Sequence, residues 1–86
     1  MATVILRLPT VLARRGRSRS AHYLDIQQGL FTSPIAIGDR AVGWPEDEVE
    51  AINAARIAGW AEDNIRELVS QLEAARTAQA ESGRAS

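Results

Sequence analysis

Apolar positions along this chain switch period twice, and the switches divide it into elements. Residues 4–8 (VILRL) are apolar with one charge, enough for one short strand, which Pro9 stops. Proline also suits the first turn of a helix, where its missing N–H would have no partner. A helix is therefore predicted over about residues 9–15, with Val11 and Leu12 inward and Gly16 in the place of a left-handed C-cap. Ser18 follows as an N-cap candidate whose hydroxyl can accept a first-turn N–H. The second helix should span about residues 19–28 and end at Gly29, with His22 and Ile26 on one face and Tyr23 beside them. Leu30 and Phe31 would close the unit by packing back onto both helices.

From residue 32 the period becomes two. Ile35 and Ile37 flank Ala36, Val42 and Trp44 flank Gly43, and Gly38, Asp39 and Arg40 form a turn cluster between them. This predicts a β-hairpin with Arg40 at or near its tip. Pro45 opens a third helix whose apolar side is read as Val49, Ile52, Ala55 and Ile57, and Gly59 ends it. A fourth helix begins near Glu62 or Asp63, with Ile65, Leu68, Val69 and Leu72 at i, i+3, i+4 and i+7. Residues 78–86 are small and polar, so fraying is expected there. Two short helices on a glycine turn, followed by a hairpin, make the pattern of a winged helix-turn-helix. The predicted fold is mainly α with a small β-hairpin. A winged helix-turn-helix DNA-binding domain fills residues 1–60, an added C-terminal amphipathic helix residues 61–80, and a disordered tail residues 81–86.

Length and composition narrow this picture. A chain of 86 residues buries only about 60–65% of its unfolded surface, so one domain with a thin core is expected. Cysteine is absent, which excludes disulfides and thiolate metal sites and fits a reducing cytosol. The N-terminus has no long apolar run, so neither a signal peptide nor a membrane span is expected. The formal net charge of −1 hides an asymmetry. Residues 1–44 hold six arginines against Asp25 and Asp39, a balance of +4, and residues 45–86 hold four against nine acids, a balance of −5. A basic half suits a polyanion, and an acidic half suits some other partner. Every basic residue is arginine, the side chain with planar, multi-donor contacts to phosphate and guanine.

Arg14, Arg15, Arg17 and Arg19 fall within six positions at the entry of the second helix. Arg19 and Ser20 are the candidates for base edges, and Tyr23, one turn on, for a base or a phosphate. Arg14, Arg15 and Arg17 are expected on the phosphate backbone beside the Ser18 cap, and Arg40 beside it from the hairpin. Asp25 either pairs with a nearby arginine, the favoured reading, or accepts from cytosine N4. By helical phase His22 is read as a half-buried structural residue in preference to a DNA contact, and a metal site would need further ligands where the chain has no second histidine. Trp44 is read as core, locking the hairpin onto the third helix, while Trp60 is either exposed or packed on the fourth. The acids from Glu46 to Glu50 complement the dipole of the third helix. No nucleophile–base pair and no phosphate loop stand out, so neither catalysis nor a cofactor or metal is expected. The Ile65, Leu68, Val69, Leu72 stripe packs on its own domain or on a second subunit. Self-association is favoured, because DNA half-sites commonly pair with a protein two-fold axis.

Several of these residues form a longer motif: Leu8-Pro9, Val11-Leu12, Gly16, Ser18-Arg19-Ser20, Tyr23, Gly29, Phe31, Arg40, Trp44-Pro45 and Glu48-Val49. In order and spacing, over about residues 5–58, it resembles the AlpA family of prophage and mobile-element regulators. The resemblance implies a short winged helix-turn-helix related to the MerR DNA-binding domain and to phage excisionases, with Ser18, Arg19, Ser20 and Tyr23 in the recognition segment and Arg40 in the wing. It implies a regulator of transcription from an integrated element or, alternatively, an excisionase-type directionality factor that bends attachment-site DNA to steer an integrase. Expected partners are double-stranded DNA, a second copy or an oligomer on DNA, and an integrase, with no membrane and no small-molecule ligand. The expected location is the cytoplasm, on the nucleoid. A protein-interaction adaptor without DNA binding is a further alternative. The chain departs from the family pattern at Arg17, where a small apolar residue is usual, at His22, which replaces an aliphatic, and at Leu24-Asp25, which replaces a more basic or apolar pair.

Overall fold

Strand β1 (Ile5–Arg7) is too short to stand alone, and its partner lies far along the chain. A computed structural model describes residues 4–85, with side chains through residue 78. In it β1 pairs antiparallel with β3 (Val42–Pro45), Leu6 opposite Trp44 and Arg7 opposite Gly43. The other edge of β3 takes β2 (Ile35–Ala36), with Ile35 also opposite Gly43. The expected hairpin is therefore two strands of a three-stranded antiparallel sheet, ordered β1-β3-β2. Gly43 is what lets the middle strand close on both sides. A Cβ there would lie 2.6 Å from Ile5 Cγ2 and 2.9 Å from the Leu6 carbonyl oxygen.

Four helices surround this sheet among the described residues: α1 (Leu8–Arg15), α2 (Arg19–Gln27), α3 (Glu46–Ile57) and α4 (Glu62–Ala85). The architecture is mainly helical with a small sheet. Pro9 lies in the first turn of α1, and Pro45 ends β3 and caps α3 rather than beginning it. The three acids Glu46, Asp47 and Glu48 fill the first turn of α3, against the positive end of its dipole. The helical backbone of α4 runs through Ala85, whereas the side chains of the tail expected over residues 81–86 lie outside the described residues. No helix of the described residues is long and apolar enough to cross a membrane.

One apolar cluster joins β1, β3, α1, α3 and α4, and α2 packs on it through Tyr23 and Ile26. Leu6, Val11, Leu30, Phe31, Trp44, Val49, Ile52, Ala55, Ile65 and Val69 are buried together. Burying one such side chain fully contributes about 1.5–3 kcal/mol. Trp44, fully buried, donates its indole N–H to the Thr32 carbonyl at 2.9 Å, so its polar atom is satisfied inside the core.

Two expected surfaces change place. Ile57 is 87% exposed and takes no part in the core. At 100° per residue it points about 140° away from the mean direction of Val49, Ile52 and Ala55. Ile65 and Val69, expected at a subunit interface, are only 2% and 4% exposed because they pack into the chain's own core. Leu68 and Leu72 are partly buried against the same cluster. The stripe continues in phase to Arg76, whose guanidinium donates to both Glu48 carboxylate oxygens at 2.8 and 2.6 Å and to the Ser33 carbonyl at 2.9 Å. Glu48 is buried, so this pair ties α4 to the start of α3. The hydrogen bond and charge of Glu48 hold the Arg76 pKa above its ordinary value.

Candidate nucleic-acid interface

The turn between α1 and α2 is set by one left-handed residue. Gly16 has φ 65°, which lets its own N–H and that of Arg17 both bond to the Leu12 carbonyl, at 2.9 and 3.2 Å. The chain then extends at Ser18 (φ −73°, ψ 161°), whose Oγ accepts from the Ala21 N–H at 3.2 Å and starts α2. Beyond this cap Arg19 and Ser20 are exposed, and Tyr23 is half-buried with the Arg19 guanidinium 6.0 Å from its ring centre. At the hairpin tip the Ile37 N–H bonds to the Ala41 carbonyl at 2.9 Å and leaves Gly38, Asp39 and Arg40 exposed.

The arginines do not act alike. Arg15 was expected on phosphate, but its side chain is 1% exposed. It donates to Asp25 Oδ2 at 2.7 Å and to His22 Nδ1 at 2.7 Å, and lies 4.0 Å over the Phe31 ring. Arg15 therefore supports the helix pair from inside and cannot reach a polyanion. Desolvation pulls its pKa below the ordinary arginine value, and the hydrogen bond and charge of Asp25 oppose that pull. Arg17 donates to the other Asp25 oxygen at 2.9 Å but keeps about a third of its side chain exposed. Asp25, 4% exposed, is thus the acid that pairs with nearby arginine, with Arg56 a further 3.8 Å contact. Arg14 points to Glu46 at 2.8 Å on the surface.

His22 is fully buried rather than half-buried. Its Nδ1 accepts from Arg15, so its proton sits on Nε2. Desolvation first, and the neighbouring Arg15 charge next, lower its pKa from 6.5 to about 4. The unfolded chain therefore takes up a proton that the folded protein refuses between those two values. This contribution to stability is whole above pH 6.5 and is lost as pH falls toward 4, by about 1.4 kcal/mol per pH unit. Urea unfolding across that window should register uptake of one proton that a His22→Gln variant lacks. An unchanged profile in that variant would show that His22 is not buried neutral.

These pairings leave Arg7, Arg19 and Arg40 as the cations of residues 4–44 that make no ion pair among the described residues. The sequence reading missed Arg7. Its signal was the lone charge in an apolar strand, and pairing opposite Gly43 brings it to the hairpin end of the sheet. The exposed basic groups are thus set at the N-terminus of α2, at the hairpin tip and at the end of β1.

The family model described as prophage CP4-57 regulatory protein (AlpA) matches residues 4–57, more than half of the chain. The chain belongs to the AlpA family. An uncharacterized protein of Enterobacteria phage P4, ORF88, is 43% identical over 54 residues, which is 63% of this chain. The aligned segment spans 61% of that relative's length. No solved structure matches the chain at a significant level. The AlpA match ends at the close of α3, so α4 lies outside it. Arg17, His22 and Asp25 meet in a single network, His22 through Arg15 and Arg17 through Asp25.

Proposed function

We propose that this chain is a sequence-specific, non-enzymatic DNA-binding regulator of a prophage or integrative element, built as a winged helix-turn-helix with α2 as the recognition helix and the β2–β3 hairpin as the wing. The observation that carries this reading is the placement of unpaired cations. Among the described residues Arg19 makes no ion pair at the capped N-terminus of α2, nor do Arg40 and Arg7 at the sheet end, while the other arginines of that half are held by carboxylates. Outward N–H groups at the start of α2 add to the attraction for phosphate. Membership of a prophage regulatory family supports the same reading.

In this proposal Arg19 and Ser20 meet base edges, Arg40 and Arg7 hold phosphates, and Tyr23 is oriented by Arg19. Arg14, Arg17 and Ser18 line the approach, the two arginines with their charge already partly spent on Glu46 and Asp25. Self-association on DNA narrows to Leu68 and Leu72, the stripe positions that keep exposed surface.

A gel-shift salt titration tests the reading. With Arg40 and Arg7 on phosphates, log K should fall against log salt with a slope of about −2 per protomer. Arg19→Ala should weaken the cognate site by about 1–3 kcal/mol and random duplex much less, whereas Arg40→Ala should weaken both alike. A flat salt dependence, or no binding at low salt, sinks the proposal in favour of an adaptor that uses the acidic half. Bending of the bound duplex with cooperative occupation of direct repeats would move the role from transcription to excision beside an integrase.

A further inference from the structure

Along α2 the outward face is a stripe of three residues at i, i+4 and i+7: Ser20, Leu24 and Gln27, all exposed. At 100° per residue they fall within about 60° of arc, opposite the buried His22 and Asp25. A single exposed leucine is ordinary on a protein surface. Leu24 differs in its setting. It is 50% exposed, and it lies between two side chains whose chemistry suits base edges. A serine hydroxyl pairs with several base-edge groups, glutamine pairs with adenine N6 and N7, and an apolar side chain contacts the thymine methyl. The stripe is about 10 Å long, the span of about three base-pair steps.

We propose that Leu24 reads the 5-methyl group of a thymine in the major groove, between base contacts made by Ser20 and Gln27. This rests on the DNA-binding reading above and adds to it the chemistry of one base in the site. The methyl group and the leucine side chain leave water together. Because the interaction is non-directional, it selects thymine through that methyl group alone.

The probe is a random-sequence duplex pool, from which the wild-type protein selects its preferred site. That site is then resynthesised with deoxyuridine in place of each thymidine in turn, which removes one methyl and keeps the base pairing. At one position uracil should weaken wild-type binding about fourfold, the worth of one buried methyl. Leu24→Ala should bind the thymine and uracil forms of that position alike and should unfold in urea much as wild type does, since the site is exposed. If selection succeeds but no thymine is sensitive, or if Leu24→Ala keeps the full sensitivity, the Leu24 assignment is overturned while the DNA reading stands. If no site is enriched from the pool, the DNA reading falls and takes the assignment with it.

Discussion

Asp25→Ala should destabilise the protein by about 3–5 kcal/mol, measured by urea unfolding at neutral pH. Its carboxylate accepts from Arg15 at 2.7 Å and from Arg17 at 2.9 Å, and both it and the Arg15 side chain are almost completely shielded from water. The penalty comes less from the lost attraction than from what remains: a guanidinium with no counter-ion beneath the helix pair, beside the neutral His22 and the Phe31 ring. Arg17 would suffer less, since water can reach it. The double variant Arg15→Met with Asp25→Leu separates the two causes, because it removes both charges and refills the space. Its loss should be much smaller than that of Asp25→Ala, as is common when a buried ion pair is replaced by apolar side chains. If Asp25→Ala loses under about 1 kcal/mol, the value of a surface bridge, Arg15 is not buried as described.

That network marks where the sequence stopped being legible. Elements with local signals were read correctly: the strand before Pro9, the Gly16 turn, the Ser18 cap, the alternation about Gly38 to Arg40, and the apolar phase of α4, though not the favoured role of its stripe, since Ile65 and Val69 lie in the chain's own core. Trp44 as core and Asp25 as the partner of arginine were also legible, because a large aromatic and a lone acid among cations each have few satisfactory environments. Arg15 was not. A run of arginines looks like surface, and only long-range packing shows that one of them points inward. The available hint was Asp25 itself, three residues beyond His22 and so close to it in helical phase. The pairing of β1 with β3 was invisible for a related reason, since nothing local links residues 5–7 to residues 43–45. The free cations of the candidate interface could be identified only by elimination, once the carboxylates had been assigned to Arg14, Arg15 and Arg17.

Trp44→Ala should cost about 3–5 kcal/mol, the range for deleting a large aromatic from a core. Trp44 is fully buried, its strand partner is Leu6, and its ring meets His22 edge-on at 4.8 Å between centroids. It therefore belongs to the hairpin by its backbone and touches α2 through its side chain. Trp44→Phe keeps an aromatic ring there but removes the N–H that satisfies the Thr32 carbonyl, for a cost of about 1–3 kcal/mol. Urea unfolding followed by far-ultraviolet circular dichroism measures both losses, because the helical signal depends on neither indole. The two substitutions also separate stability from binding geometry. Trp44→Phe should still fold, and if Trp44 sets the distance from hairpin to helix, its salt slope on DNA should drop by about one, matching Arg40→Ala, because Arg40 no longer reaches its phosphate while α2 stays engaged. An unchanged slope in the folded Trp44→Phe protein would mean that the hairpin is held by β1 alone, through the pairing of Leu6 and Arg7 with β3.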